Sequence, residues 1–192
     1  MGKTLQAVGV VVALVFGAGA AHADDMRQKA ARHFVTANVK PWIGDQLIVD
    51  AIEAQNVQTA KLKQVEIDQD DIGWLNRTDK ALIDSRMNNP LSTMLRSKKA
   101  ALGDAVLEIF VFDNKGLNVG ETDMTEDYVQ GDEAKYWKTY GIGPDAVFVD
   151  KVGPDGGRPN ICQVSLTIKD PSTGKAIGAM TVGIDTDKLK LK

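Results

Sequence analysis

The chain has 192 residues, 43% of them hydrophobic, and 23 basic against 26 acidic side chains give it a net charge of −3. Acids and bases are mixed along its length, with no basic stripe beyond Lys98-Lys99 and the terminal KLKLK, which excludes nucleic acid as the expected partner. Cys162 is the single cysteine, which excludes an internal disulfide and a haem-attachment motif; of the two histidines His22 lies in the expected leader, which leaves His33 alone in the mature chain and excludes a two-histidine metal site.

The first residues have the form of a secretory leader. Lys3 precedes an apolar run from Ala7 to Phe16, too short for the ~20 residues that span a bilayer, and Ala21-His22-Ala23 has the A-x-A form of a cleavage site. Residues 1–23 are therefore expected to be a signal peptide and residues 24–192 a single exported domain, periplasmic or secreted. No cysteine follows the apolar run to carry a lipid anchor, and no later segment is apolar enough to cross a membrane. Cys162 is expected to be a buried strand residue, although an oxidising compartment leaves a dimer-forming thiol open.

From Asp25 the spacing is helical. Met26, Ala30, Phe34 and Ala37 recur every three to four residues, with Asp24 and Asp25 placed to cap the start. Pro41 breaks or kinks this helix, and Ile43, Leu47, Ile48, Ala51 and Ala54 continue an apolar stripe toward Gln58. This predicts one long, kinked N-terminal helix, with His33 on its surface or in its packing. Between Lys61 and Asp104 short helices and loops alternate. Pro90 fits the first position of a helix, where its missing N–H is not needed, and Leu91, Met94 and Leu95 give that helix a buried face.

After Gly103 the pattern becomes that of strands. AVLEIFVF (105–112) and LNVGET (117–122) flank the turn DNKG, in which Gly116 can take a positive φ. Next comes TEDYVQGDEAKYW (125–137), read as a loop and a capped helix start. AVFVDKV, ICQVSLTIKD and AIGAMTVGID follow as three more strands, the last two joined by PSTG. In the fourth strand Val164, Leu166 and Ile168 point to one face, toward the core. Gln163, Ser165 and Thr167 point to the other, toward water or a polar ligand. The small residues Gly178, Ala179, Thr181 and Gly183 leave room above the fifth strand for a ligand or for close helix packing. The expected fold is α+β, a five-stranded antiparallel sheet with a long N-terminal helix and short helices on one side.

The ordered set FVFDNKGLNVGETDMTEDYVQGDEAKYW, QVSLTIKDPSTGKAIGAM and TVGIDTDKL resembles the Cache or PDC class of extracytoplasmic PAS-like sensor domains over about Asp24 to Leu189. The resemblance implies a PAS-like sheet, a small-molecule pocket between the sheet and the elements over it, and a sensing role. It also implies dimerisation through the N-terminal helix. With a cleavable leader and no output module, a free-standing periplasmic form would signal through a partner such as a membrane sensor kinase or chemoreceptor. An adaptor with a vestigial pocket is the alternative.

Within this frame Tyr128, Tyr136 and Trp137 are candidate aromatic walls, while core packing is the competing reading for Tyr128 and Trp137. Asp132 and Glu133 fall where carboxylates cap a helix, and Asp132 can pair with Lys135. Asp127 lies outside the helix and is the candidate counter-ion for a ligand ammonium group. An anionic ligand would need Arg77, Arg86 or Arg96. Ser165, Thr167 and Thr181 could offer hydroxyls from the sheet floor, and Trp74 could cover the pocket. Asp68, Asp70 and Asp71 lack the register of a calcium loop. No nucleophile elbow or triad is present, so no catalysis and no cofactor are expected, and the ligand class is an amino acid, amine or carboxylate.

Overall fold

This computed structural model describes residues 16–189. Most of the leader's apolar run and the last part of the KLKLK tail lie outside those residues. The helices are α1 (Phe16–Asn38), α2 (Gln46–Thr59), α3 (Gln64–Leu75), α4 (Lys80–Met87), α5 (Pro90–Leu102) and the single turn α6 (Ala134–Trp137). The strands are β1 (Val106–Phe112), β2 (Asn118–Glu121), β3 (Val147–Val149), β4 (Gly153–Asp155), β5 (Arg158–Lys169) and β6 (Ala176–Asp185). Among the described residues no helix is long and apolar enough to cross a membrane.

Two helices stand where one kinked helix was expected. α1 ends at Asn38, Pro41 sits in a 3-10 turn (Lys40–Trp42), and α2 starts afresh with Asp45 Oδ1 accepting the Leu47 N–H at 3.1 Å. Proline removes a donor and crowds the preceding turn, and the new cap lets the chain change direction. Asp24 and Asp25 lie inside α1 and do not cap it. α5 has the expected start: Pro90 is in its first turn, and Asn89 Oδ1 accepts the Ser92 N–H at 2.8 Å.

The strands form one antiparallel sheet in the order β2-β1-β6-β5-β3, and β4 pairs with β5. β4 is a sixth strand that was not expected. Gly156 and Gly157 take φ of +52° and +77°, which folds the chain back into a tight hairpin at Asp155↔Arg158. Gly116 has the positive φ expected of the DNKG turn, +80°. The buried Asp113 of that turn accepts the Lys115 and Leu117 N–H groups on Oδ1 and the Gln55 and Thr59 side chains on Oδ2, which ties the β1–β2 turn to α2.

One face of the sheet carries the main core. Ala31, Val35 and Val39 of α1, Ile48 and Ile52 of α2 and Leu91 and Leu95 of α5 pack on Ile109, Val111, Val164, Leu166, Ile168, Met180, Val182 and Ile184. α1 therefore buries a stripe displaced from the expected one. Met26, Ala30 and Ala37 instead line a surface groove with His33 and Leu189, and Phe34 borders that groove while also packing against the edge of the core. Cys162 is buried in the core, and burial pushes its thiol up to about 12.

The opposite face is also covered, rather than open to water. Directly paired residues in an antiparallel ladder share a face. The register thus sets three rows across it: Glu108–Gly183–Gln163, Phe110–Thr181–Ser165 and Phe112–Ala179–Thr167. Tyr136 of α6 packs on Phe110, Phe112 and Ala179, so the helices are not all on one side. Under this cover the Ser165 and Thr181 hydroxyls bond each other at 2.8 Å, which satisfies two polar groups that are fully buried.

Candidate functional site

A cavity of about 400 Å³ lies on this second face. It is lined by Glu108 and Phe110 of β1, Gln163 of β5 and Asp155 at the β4 turn, by Met124, Thr125, Glu126, Asp127 and Gln130 of the β2–α6 connection, and by Glu133 and Lys135 at α6. The floor is the outermost cross-strand row. Glu108 Oε1 accepts the Gln163 amide at 2.9 Å, reaching over Gly183. A Cβ on Gly183 would stand 2.7 Å from Glu108 Cγ, so glycine there makes room for the acid to lie across the sheet.

The wall is held from outside by α3 and α4. Asp71 Oδ1 accepts the backbone N–H groups of Tyr128 (2.9 Å) and Val129 (3.2 Å), and Trp74 Nε1 donates to the Thr125 carbonyl at 3.0 Å. On the inner side Asn118 Nδ2 and Gln130 Nε2 both donate to the Asp127 carbonyl, at 3.1 and 2.9 Å. The chain then passes the DNKG turn so closely that a Cβ on Gly116 would stand 2.4 Å from the Gly131 nitrogen. Gly131 of TEDYVQGDEAKYW is required by this crossing: its own Cβ would meet the Lys115 carbonyl at 2.6 Å.

The cavity is electrostatically one-sided. Glu108, Glu126, Asp127, Glu133 and Asp155 face it, and Lys135 is the basic group on its wall. Lys135 is already engaged: its ammonium is 2.9 Å from Glu133 and 3.1 Å from Gln130 Oε1, and it lies 5.2 Å above the Phe110 ring. Asp127 is held above the usual carboxylate range, first by burial and then by Asp71, Glu133, Glu126 and Asp132. Burial also raises Glu108, against the lowering effects of Gln163 and Lys135. Beneath the Thr125 side of the wall, burial pushes the Glu121 carboxyl of β2 up to about 7.

The structure gathers only part of the expected set at this cavity. Asp127 lines it. Tyr128 is buried with Trp74, Ile67 and Leu117 behind the wall, its ring 5.6 Å from that of Trp74 and its hydroxyl accepting from Arg86 at 3.1 Å. Trp74 is fully buried in the same cluster. Ser165, Thr167 and Thr181 lie in the covered rows of the sheet, not on the cavity's surface. Trp137 is 60% exposed, so it does not anchor α6 in the core. It borders a second groove, of about 640 Å³, with Tyr136, Asp68, Asp71 and Asp132, on the other side of Asp127.

Arg86 donates to Tyr128, Arg77 to the Trp74 and Thr125 carbonyls, and Arg96 to the Met87 carbonyl at 2.7 Å. None of the three is on the cavity wall. Glu133 occupies the cap position of α6 without a capping bond and pairs with Lys135, which takes the place of the expected Asp132–Lys135 pair. Glu108, Phe110, Gln163, Lys135 and Asp155 were not foreseen as site residues. One signal was available: Glu108 is the only charged residue in AVLEIFVF, and a lone acid inside an apolar strand needs a polar destination.

No family model matches the chain, and no curated protein matches it. Solved structures to which the chain is similar include an extracellular ligand-binding receptor from Desulfohalobium retbaense (12% identity, TM-score 0.38, 73% of this chain and 25% of that one). A second is the sensor domain of the histidine kinase DctB of V. cholerae (11%, 0.35, 90% and 58%). A third is the ligand-binding domain of the Pseudomonas aeruginosa amino acid chemoreceptor PctC, solved with GABA (14%, 0.37, 87% and 60%). The chain spans between a quarter and three fifths of the length of these proteins.

Proposed function

We propose that the chain is a soluble periplasmic sensor module that binds a small ligand carrying an ammonium group, has no catalytic activity, and signals through a partner protein such as a membrane sensor kinase or chemoreceptor. The observation that carries this reading is the charge of the cavity at Asp127. Several carboxylates face a partly enclosed space whose one basic side chain is already paired, so a bound cation would relieve their mutual repulsion. The volume suits a metabolite of amino acid or short amine size. An anionic ligand has less support, because Arg77, Arg86 and Arg96 are all committed elsewhere. The A-x-A form of Ala21-His22-Ala23 after the apolar run and the Cache-like sequence set support the location and the sensing role.

A homodimer is the second element of the proposal. The Met26, Ala30, Phe34 and Ala37 stripe forms an apolar groove on the outer side of α1, where a helix of a second copy could pack. Light scattering that gives a monomer at high concentration removes this element. For the ligand, a thermal-shift screen of amines, amino acids and carboxylates is the direct test. A ligand present at 100 times its Kd stabilises the native state by about 2.7 kcal/mol. Amines and amino acids are expected to raise Tm and simple carboxylates to leave it unchanged; the reverse result sinks the cation reading. No response from any compound transfers support to the adaptor reading.

A further inference from the structure

We propose that Glu121 is a proton-controlled positioning residue for the Asp127 segment of the cavity wall, acting through the hydroxyl of Thr125. Glu121 is on β2, paired with Phe110 and so on the cavity face of the sheet, and it is fully buried. Its Oε2 lies 2.9 Å from Thr125 Oγ1 and accepts the Thr125 N–H at 3.2 Å. Thr125 Oγ1 also lies 2.8 Å from the Asp127 carbonyl oxygen and accepts from Asn118 Nδ2 at 2.7 Å. A threonine hydroxyl has one hydrogen, so it cannot donate to Glu121 and to Asp127 at once.

The protonation state of Glu121 decides between the two. A protonated Oε2 donates to Thr125 Oγ1, which turns its own hydrogen to the Asp127 carbonyl and completes a chain from Glu121 through Thr125 to Asp127. An ionised Glu121 can only accept, so it takes the Thr125 hydrogen and withdraws one of the bonds that hold Asp127. The other oxygen, Oε1, is buried with no hydrogen-bond partner among the described residues. A neutral carbonyl tolerates this better than a carboxylate.

The surroundings agree with a proton held near neutrality. Burial dominates, Glu108 on the neighbouring strand β1 adds repulsion, and the two Thr125 bonds and Arg77, between α3 and α4, oppose it. From α5, Ser92 Oγ bonds the Glu121 backbone N–H and not the carboxyl. From α4, Arg86 is directed to Tyr128. This inference concerns regulation of the cavity proposed above as the ligand site, but its test needs no ligand, so it stands or falls separately.

Carbon-13 NMR of the side-chain carboxyls and amide shifts of the ligand-free full chain give the test. The Glu121 carboxyl is expected to titrate at about 7, and the Asp127 and Tyr128 amides to shift with the same midpoint. In Glu121→Gln, whose amide donates permanently, that midpoint should vanish from the amides. In Thr125→Val it should remain at the Glu121 carboxyl but be lost from Asp127 and Tyr128, and Thr125→Ser should restore it. A Glu121 carboxyl titrating in the ordinary range near 4.3 overturns the proposal. Amides that follow the same midpoints in wild type and Glu121→Gln overturn it equally, without any variant having to be more stable than another.

Discussion

Glu121 also makes a quantitative prediction about stability. Its folded-state value of about 7 lies above the 4.5 of an unperturbed carboxyl, so the native state binds the proton more tightly than the unfolded chain. That extra stability is fully present below about 4.5, is lost as pH rises through about 7, and is constant above. A separation of about 2.5 units at 1.36 kcal/mol each corresponds to roughly 3 kcal/mol, of which about 2.5 falls between about pH 5 and pH 8. Glu121→Gln cannot ionise and keeps the donor. Urea unfolding of both proteins across that interval should show the variant gaining on wild type by about 2–3 kcal/mol as pH rises, because contributions common to both cancel in the difference. A difference that stays constant to within about 0.5 kcal/mol across the interval would refute a buried, proton-binding Glu121.

Four substitutions test the rest of the site's construction. Gly116→Ala combines a positive φ with a contact of 2.4 Å to the Gly131 backbone, so it should destabilise by more than about 2 kcal/mol in chemical unfolding. Gly183→Ala meets only the flexible side chain of Glu108. It should cost about 1 kcal/mol and displace the Glu108 carboxyl from Gln163, visible as a changed Glu108 titration. Trp74→Ala empties a fully buried site and removes the bond to the Thr125 carbonyl, with an expected loss of about 3–5 kcal/mol. Trp137→Ala removes a ring that is 60% exposed and should stay within about 0.5 kcal/mol of wild type, with ligand affinity unchanged.

The sheet was legible because strand signals are local. The alternation Val164, Leu166, Ile168 against Gln163, Ser165, Thr167 gives the two faces of β5 directly, and Gly116 marks the turn between β1 and β2. Helix faces were less legible. α1 carries two stripes with helical spacing, and only the sheet beneath it selects Ala31, Val35 and Val39, with Phe34 at their edge, over Met26, Ala30 and Ala37. The fates of Tyr128 and Trp137 depended on length: α6 is a single turn, too short to carry Trp137 back onto the sheet, whereas Tyr128 falls where α3 and α4 close over the wall. The cavity floor was the least legible part. Glu108 and Gln163 are far apart in sequence and become neighbours only through the register both share with Gly183. Asp127 could be singled out because no local role, cap or helical pair accounted for it.

The central claim is that the space beside Asp127 takes a cationic group. A crystal structure of the chain with an amine or amino acid selected by thermal shift tests it most directly. The account predicts the ligand's ammonium within hydrogen-bonding distance of the Asp127 carboxylate, above the floor formed by Glu108, Phe110 and Gln163. A ligand seated instead in the Trp137 groove, or one that places a carboxylate against Asp127, would contradict it.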